Sequence, residues 1–160
     1  MNEWFAVFLP ILILLFGLYI LFKPKSSASL RKSLANQDQA FKWESLGDFQ
    51  FEVVGESHYQ RELKSLAGDH GTEFVEIDCE AALVPEDDNK YDPKAVAIFI
   101  EGIKVGYLSR DDARSFRRRL GNKRLTGQIT YCDALIVGGG IARNGRKMSY
   151  GIRLDIKPFY

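Results

Sequence analysis

Apolar and polar positions change period several times along this chain, and each change predicts an element. Phe49, Phe51 and Val53 alternate with polar neighbours, the pattern of a half-buried strand, and Gly55 ends it. Over residues 59–67, Leu63, Leu66 and Ala67 fall at helical spacing before Gly68, a natural stop. Over 72–84, Val75, Ile77, Cys79, Ala81 and Leu83 are apolar while Glu76, Asp78 and Glu80 point the other way, as in a long strand with one wet face. Residues 95–101 are almost continuously apolar, which predicts a strand covered on both faces, and Gly102 turns the chain into a partner strand at 104–108. Ser109, with Asp112 three residues on, predicts the N-cap of a second helix whose stripe is Ala113, Phe116 and Leu120 and whose end is Gly121. Residues 125–137 and 148–156 read as two final strands joined by the glycine-rich GGGIARNGRK. Several strands and two short helices in about 110 residues predict a mainly β domain, a small open or closed barrel.

Ahead of this pattern the chain is of another kind. Residues 4–22 carry no charge, and as a helix they would span on the order of 28 Å, close to the hydrocarbon core of a bilayer. Trp4 and Tyr19 suit interfacial positions, and Pro10 is tolerable in a membrane helix. A signal peptide would want a basic n-region and a shorter apolar core, whereas only Met1, Asn2 and Glu3 come first. Lys23, Lys25, Arg31 and Lys32 follow the run, and no Lys or Arg precedes it. The expectation is a single-pass transmembrane anchor at 1–22 with the C-terminal domain in the cytoplasm. A polar linker at 23–48, whose second half has the makings of a short helix, leads to the domain at 49–160; Phe41 and Trp43 are positioned to pack on that domain. Cys79 and Cys132 each sit inside an expected strand and read as small buried side chains in a reducing compartment.

The near-neutral net charge hides a dipole. Residues 36–100 hold 15 acidic against 5 basic side chains, and 101–160 hold 5 against 13. The cations gather on the second helix, as Arg110, Arg114, Arg117, Arg118 and Arg119, and on the last hairpin, as Arg143, Arg146, Lys147 and Arg153. Such clusters suit phosphate, although a solvated basic face has the same composition.

The most readable window is 83–116, an acidic turn, a strand, a tight turn, a strand and an Arg-rich helix in succession. Pro85 and Glu86-Asp87-Asp88-Asn89 are turn chemistry, and Tyr91-Asp92-Pro93 sets the chain extended before it re-enters the sheet. VVGESHY at 53–59, EDDNKYDPKAV at 86–96, VGYL at 105–108 and YGIRLDI at 150–156 occur in an order that resembles the HIRAN domain, over roughly residues 49–156. The resemblance implies a six-stranded OB-like β-barrel with helices at its flanks. HIRAN domains are best known in helicase-like ATPases of DNA repair, where they grip single-stranded DNA ends.

Carried over residue by residue, the resemblance makes Tyr91 a stacking ring and Asp92 an acceptor for a terminal 3′-hydroxyl. His58 stands where the well-studied family type has an aromatic. Tyr107 stands where that type has the His of its VGHL, and Arg110 where it has a basic residue. With Tyr59, and with Arg114, Arg117 and Arg118 for backbone phosphates, these nine make the expected nucleic-acid site. Read without the family, the tyrosines are half-buried rings with satisfied hydroxyls, and an Asp before Pro commonly caps its own turn.

Other chemistries find little support. The acidic run Glu86, Asp87, Asp88 and Asp92 lacks the central Gly and terminal Glu of an EF-hand loop. His58, His70, Cys79 and Cys132 have no zinc-finger spacing. Gly138-Gly139-Gly140 opens no helix, and Gly145 precedes Arg146-Lys147-Met148, so no P-loop is formed. The expectation is a non-enzymatic, membrane-anchored protein without cofactor or metal that binds single-stranded DNA with a free 3′-hydroxyl. A membrane-tethered adaptor that binds protein, including a partner with motor or nuclease activity, is the alternative, and a phosphodiester or acid-anhydride hydrolase a distant third.

Overall fold

The computed structural model describes residues 40–158. The expected anchor and most of the expected linker lie outside the described residues. Among the described residues no helix is long and apolar enough to cross a membrane.

Seven strands form one sheet: β1 (Phe41–Lys42), β2 (Phe51–Glu52), β3 (Val75–Pro85), β4 (Val96–Ile100), β5 (Ile103–Tyr107), β6 (Thr130–Gly138) and β7 (Tyr150–Leu154). Among the described residues two α-helices accompany them, α1 (Gln60–Ala67) and α2 (Arg110–Asn122), with a 3-10 turn at Glu56–His58 before α1. The strand order β2-β7-β6-β3-β4-β5 is antiparallel throughout, and β1 adds a seventh strand parallel to β6. The sheet curls into a half-barrel whose end strands touch. Just past β2, the Val54 amide donates to the Tyr107 carbonyl at 2.8 Å, and the Val54 carbonyl accepts the Tyr107 amide at 2.9 Å.

Gly106 makes that closure possible. A Cβ there would stand 2.4 Å from Val53 Cγ1 and 2.9 Å from the Val54 carbonyl oxygen, so a side chain would force the sheet ends apart. The core beneath takes Leu63 and Ala67 from α1, Ala113, Phe116 and Leu120 from α2, and inward residues of the sheet such as Leu83, Ile98, Val105, Ile136 and Leu154. All five residues of β4 are buried, as its unbroken apolar run predicts.

Several expected boundaries move, each for a local reason. Glu101 belongs to the turn, not to β4, because the two-residue hairpin needs positive φ at both Glu101 (50°) and Gly102 (75°). Phe49 has φ 45° and lies outside β2. Ser109 does cap α2, accepting the Asp112 amide at 3.2 Å. However, α2 continues through Gly121, and Arg124 (φ 60°) takes the left-handed position beyond it while the Leu125 amide reaches back to the Leu120 carbonyl at 2.8 Å. With Leu125 engaged in that cap, β6 begins only at Thr130.

The expected short helix before the domain is a strand where it is described. Phe41 and Lys42 pair with Thr130 and Tyr131. Trp43 follows, lying 5.7 Å from the Phe116 ring, and its indole N–H donates to Thr130 Oγ1 at 2.9 Å. Next, residues 45–48 wrap the buried carboxylate of Asp155, which is 1% exposed. Its Oδ2 accepts from the Ser45 hydroxyl and the Leu46 and Gly47 amides, and its Oδ1 from the Asp48 amide. Burial would push this carboxyl up, but the Ser45 hydroxyl and the three amides outweigh it and hold the group below its ordinary value.

Candidate nucleic-acid interface

The end strands of the sheet, the loop at 86–95 and the start of α2 enclose a pocket of about 370 Å³. Val54, Ala95, Leu108 and Ala113 give it an apolar lining, Tyr59, Tyr91 and Tyr107 supply rings, and Asn89, Asp92 and Arg110 supply polar groups. Five of the nine residues expected from the sequence therefore line one pocket: Tyr59, Tyr91, Asp92, Tyr107 and Arg110. They come from three separate segments of the chain.

The loop that carries Tyr91 and Asp92 is braced from within. Asn89 donates to Glu86 Oε2 at 2.8 Å, and its Oδ1 accepts the Tyr91 amide at 3.0 Å and the Asp92 amide at 3.2 Å. The Tyr91 ring is left 75% exposed, with Lys90 Nζ 4.6 Å from its centroid. Asp92 does cap its own turn, since Oδ1 accepts the Lys94 amide at 2.8 Å. Its other oxygen, Oδ2, stands 4.0 Å from Arg110 Nε, a long ion pair that leaves acceptor capacity.

Tyr107 is held by its hydroxyl. Lys104 Nζ donates to that oxygen at 2.8 Å and to Glu86 Oε1 at 2.6 Å, and the hydroxyl lies 3.3 Å from Glu86 Oε2. Burial would push the Lys104 ammonium down, but the bonds to Glu86 and Tyr107 prevail and raise it, so it stays charged at neutral pH. Tyr59 beside it is pushed up, by burial first and by its neighbour Tyr107 next, so the Tyr59 ring enters the pocket as a neutral phenol.

The other four expected residues lie outside this lining. His58 is exposed in the 3-10 turn, and Arg114 and Arg118 are exposed on α2, Arg114 being 3.1 Å from Asp111 in an i,i+3 pair. Arg117 is differently placed. Its side chain is only 12% exposed, paired with Asp87, and it donates to the carbonyls of Ala95 at 3.0 Å and Lys94 at 3.3 Å. Arg117 fastens the 86–95 loop to α2.

Sequence reasoning did not place Asn89, Val54, Ala95, Leu108 or Ala113 in the site. An apolar Val54 against a turn glycine, and Asn89 three residues from Glu86, were the signals available. Three of the four acids in the run have protein partners, Glu86 in Lys104 and Asn89, Asp87 in Arg117 and Asp92 in its own turn. Among the described residues no group of three or more His, Cys, Asp and Glu is placed to hold a metal ion.

No curated protein matches the chain. No solved structure matches it either. The family model of the HIRAN domain matches residues 46–136, which takes in every residue lining the pocket, the turn before α1, both helices and the sheet from β2 through most of β6. More than half of the chain lies in that match, and the chain belongs to the HIRAN domain family.

Proposed function

We propose that the pocket receives the 3′ end of a single-stranded nucleic acid, DNA in the first instance, and that the protein binds it without chemical change. The observation that carries this reading is the convergence of Tyr59, Tyr91, Asp92, Tyr107 and Arg110 on one concavity, within a domain type that generally binds nucleic acid. An exposed ring such as Tyr91 gains by covering itself with a base, a contact of roughly 1–3 kcal/mol. Behind it, Asp92 Oδ2 has room to accept a terminal hydroxyl, and Arg110 stands where it can meet the phosphate joining the last two nucleotides. Exposed Arg114 and Arg118, one and two helical turns from Arg110, would then follow the backbone outward. The binding cleft would thus lie against an OB-like barrel.

The test is fluorescence anisotropy with the full chain and short 5′-labelled single strands. Tyr91→Ala should weaken binding by about tenfold without changing the unfolding midpoint. A folded wild-type protein with no affinity for any single strand would falsify the proposal and favour the adaptor that binds protein. The uncharged stretch 4–22 supports a membrane anchor as part of the same proposal, with the domain on the cytoplasmic side. Release of the chain from membranes by alkaline carbonate would count against that part.

A further inference from the structure

Away from the pocket, at the opposite end of β3, three large exposed apolar residues stand on backbone segments that are hydrogen-bonded to one another at one corner, Ile141 on the same face of its hairpin as Lys147 and Met148 on the other. Phe74 is 57% exposed, Ile141 45% and Met148 38%. The first stands just ahead of β3, and the other two belong to the hairpin between β6 and β7. Singly, exposed apolar residues need no explanation; grouped, they do. The backbone holds them together: the Ile141 amide donates to the Thr72 carbonyl at 2.9 Å, the Met148 amide to the Gly140 carbonyl at 3.1 Å, and Ile141 bridges Lys147. At Gly140 a Cβ would meet the Glu73 carbonyl and the Phe74 amide at 2.7–2.8 Å, so only glycine lets the hairpin press so closely on the chain entering β3.

Beyond these residues the hairpin ends in a closed turn of its own. The Ala142 amide donates to the Arg146 carbonyl, the Gly145 amide to the Ala142 carbonyl, and the Arg146 amide to Asn144 Oδ1. The turn carries Arg143, Arg146 and Lys147, all exposed, and none of the three is in an ion pair among the described residues. Residues 139–149 contain no acid, and the neighbouring Glu73 is the one carboxylate beside Phe74 in sequence.

We infer that this corner is a peripheral lipid-contact site, in which Arg143, Arg146 and Lys147 engage anionic phospholipid headgroups while Ile141, Met148 and Phe74 enter the boundary of the acyl chains. Charge complementarity selects the partner. Three exposed cations on one turn, in no ion pair among the described residues, match a flat anionic surface. Apolar flanks suit the headgroup–acyl boundary, whereas a single strand would call for several flat rings along a groove and this corner has one, Phe74. The contact stands apart from the pocket and does not depend on what the pocket binds.

The experiment uses the full chain with Met148→Cys labelled by an environment-sensitive fluorophore, mixed with vesicles containing brominated lipids. Labelled wild type gives the background, and burial raises both native thiols, that of Cys79 to about 11, which slows their reaction. A label at Asp88→Cys, in the loop at the other end of β3, is the positional control. The 148 label should be quenched by vesicles of phosphatidylcholine with phosphatidylserine. Quenching should fall several-fold with phosphatidylcholine alone, or when Arg143, Arg146 and Lys147 are all changed to Glu, while the 88 label stays bright throughout. Absence of quenching at 148, equal quenching on neutral and anionic vesicles, or equal quenching at 148 and 88 overturns the inference. A 148 label that answers to a single-stranded oligonucleotide and not to vesicles reassigns the corner to nucleic acid.

Discussion

Replacing Arg117 by Ala separates two roles that its sequence neighbourhood makes look alike. Arg114, Arg117 and Arg118 read equally as phosphate contacts, yet Arg117 is nearly covered and its guanidinium is used within the protein, on Asp87 and on the carbonyls of Ala95 and Lys94. The magnitude follows from those partners. Asp87 is 74% exposed, so its ion pair contributes at most about 1 kcal/mol. The 3.0 Å bond to the Ala95 carbonyl is charge-assisted and worth about 1.5 kcal/mol, while the 3.3 Å bond to Lys94 adds little. The Ala95 carbonyl keeps the Glu86 amide as a partner, so the truncation leaves no orphaned acceptor there. Arg117→Ala should therefore cost about 2 kcal/mol, or on the order of 10 °C in midpoint. Arg117→Lys should recover only the ion-pair share, because an ammonium cannot span the same set of acceptors. Chemical denaturation gives the stability, and hydrogen exchange of the Asp92 and Ala95 amides reads the loosened loop. Arg114→Ala and Arg118→Ala should leave stability within about 0.5 kcal/mol and each lower the salt slope of single-strand binding by about one. The reasoning is refuted if Arg117→Ala is as stable as wild type and its only effect is the same loss of salt slope.

Two further changes probe the frame around the site. Asp155→Asn should destabilise by about 2 kcal/mol at neutral pH, since an amide cannot accept four donors as a carboxylate does. Because the folded-state value is depressed, the carboxylate's contribution is complete above the unfolded value of about 4 and is lost as pH falls through the folded one; the gap between variant and wild type in denaturant titrations should close with acidification, and a gap constant with pH contradicts the assignment. Gly106→Ala should cost about 2 kcal/mol through overpacking against Val53 and should increase exchange of the Val54 and Tyr107 amides, whereas a neutral substitution would mean that the sheet ends do not meet there.

Where local chemistry decides, the sequence was a sufficient guide. Ser109 needed only Asp112 to become a cap, and the unbroken apolar run of β4 needed only its own pattern. Where a distant partner decides, it was not. The two residues of β1 are too few to show a period, and Trp43 finds Thr130 across 87 positions. The helix runs past Gly121, its expected end, and Arg124 takes the left-handed position, because the helix ends where its last carbonyls find donors and not at the first glycine. The site divides in the same way. The turn around Tyr91 and Asp92 was legible from Tyr91-Asp92-Pro93, whereas the grouping of these two with Tyr59, Tyr107 and Arg110 was implied by the family resemblance. Asn89, which orders the loop through one side chain, and the contrast between half-buried Arg117 and exposed Arg118 depend on where the 86–95 loop lies over α2, which no spacing along the helix reports.

End chemistry tests the central claim most directly. A 3′-hydroxyl can donate to Asp92 Oδ2, whereas a 3′-phosphate sets negative charge against that carboxylate. The measurement is the affinity of the full chain for one single-stranded DNA carrying either a free 3′-hydroxyl or a 3′-phosphate, for wild type and for Asp92→Ala shown to be folded. The account predicts that wild type prefers the free end by about tenfold, as expected for one charge-assisted hydrogen bond, and that Asp92→Ala abolishes the preference. Equal binding of free and blocked ends by the wild-type protein, or a preference that survives Asp92→Ala, contradicts it.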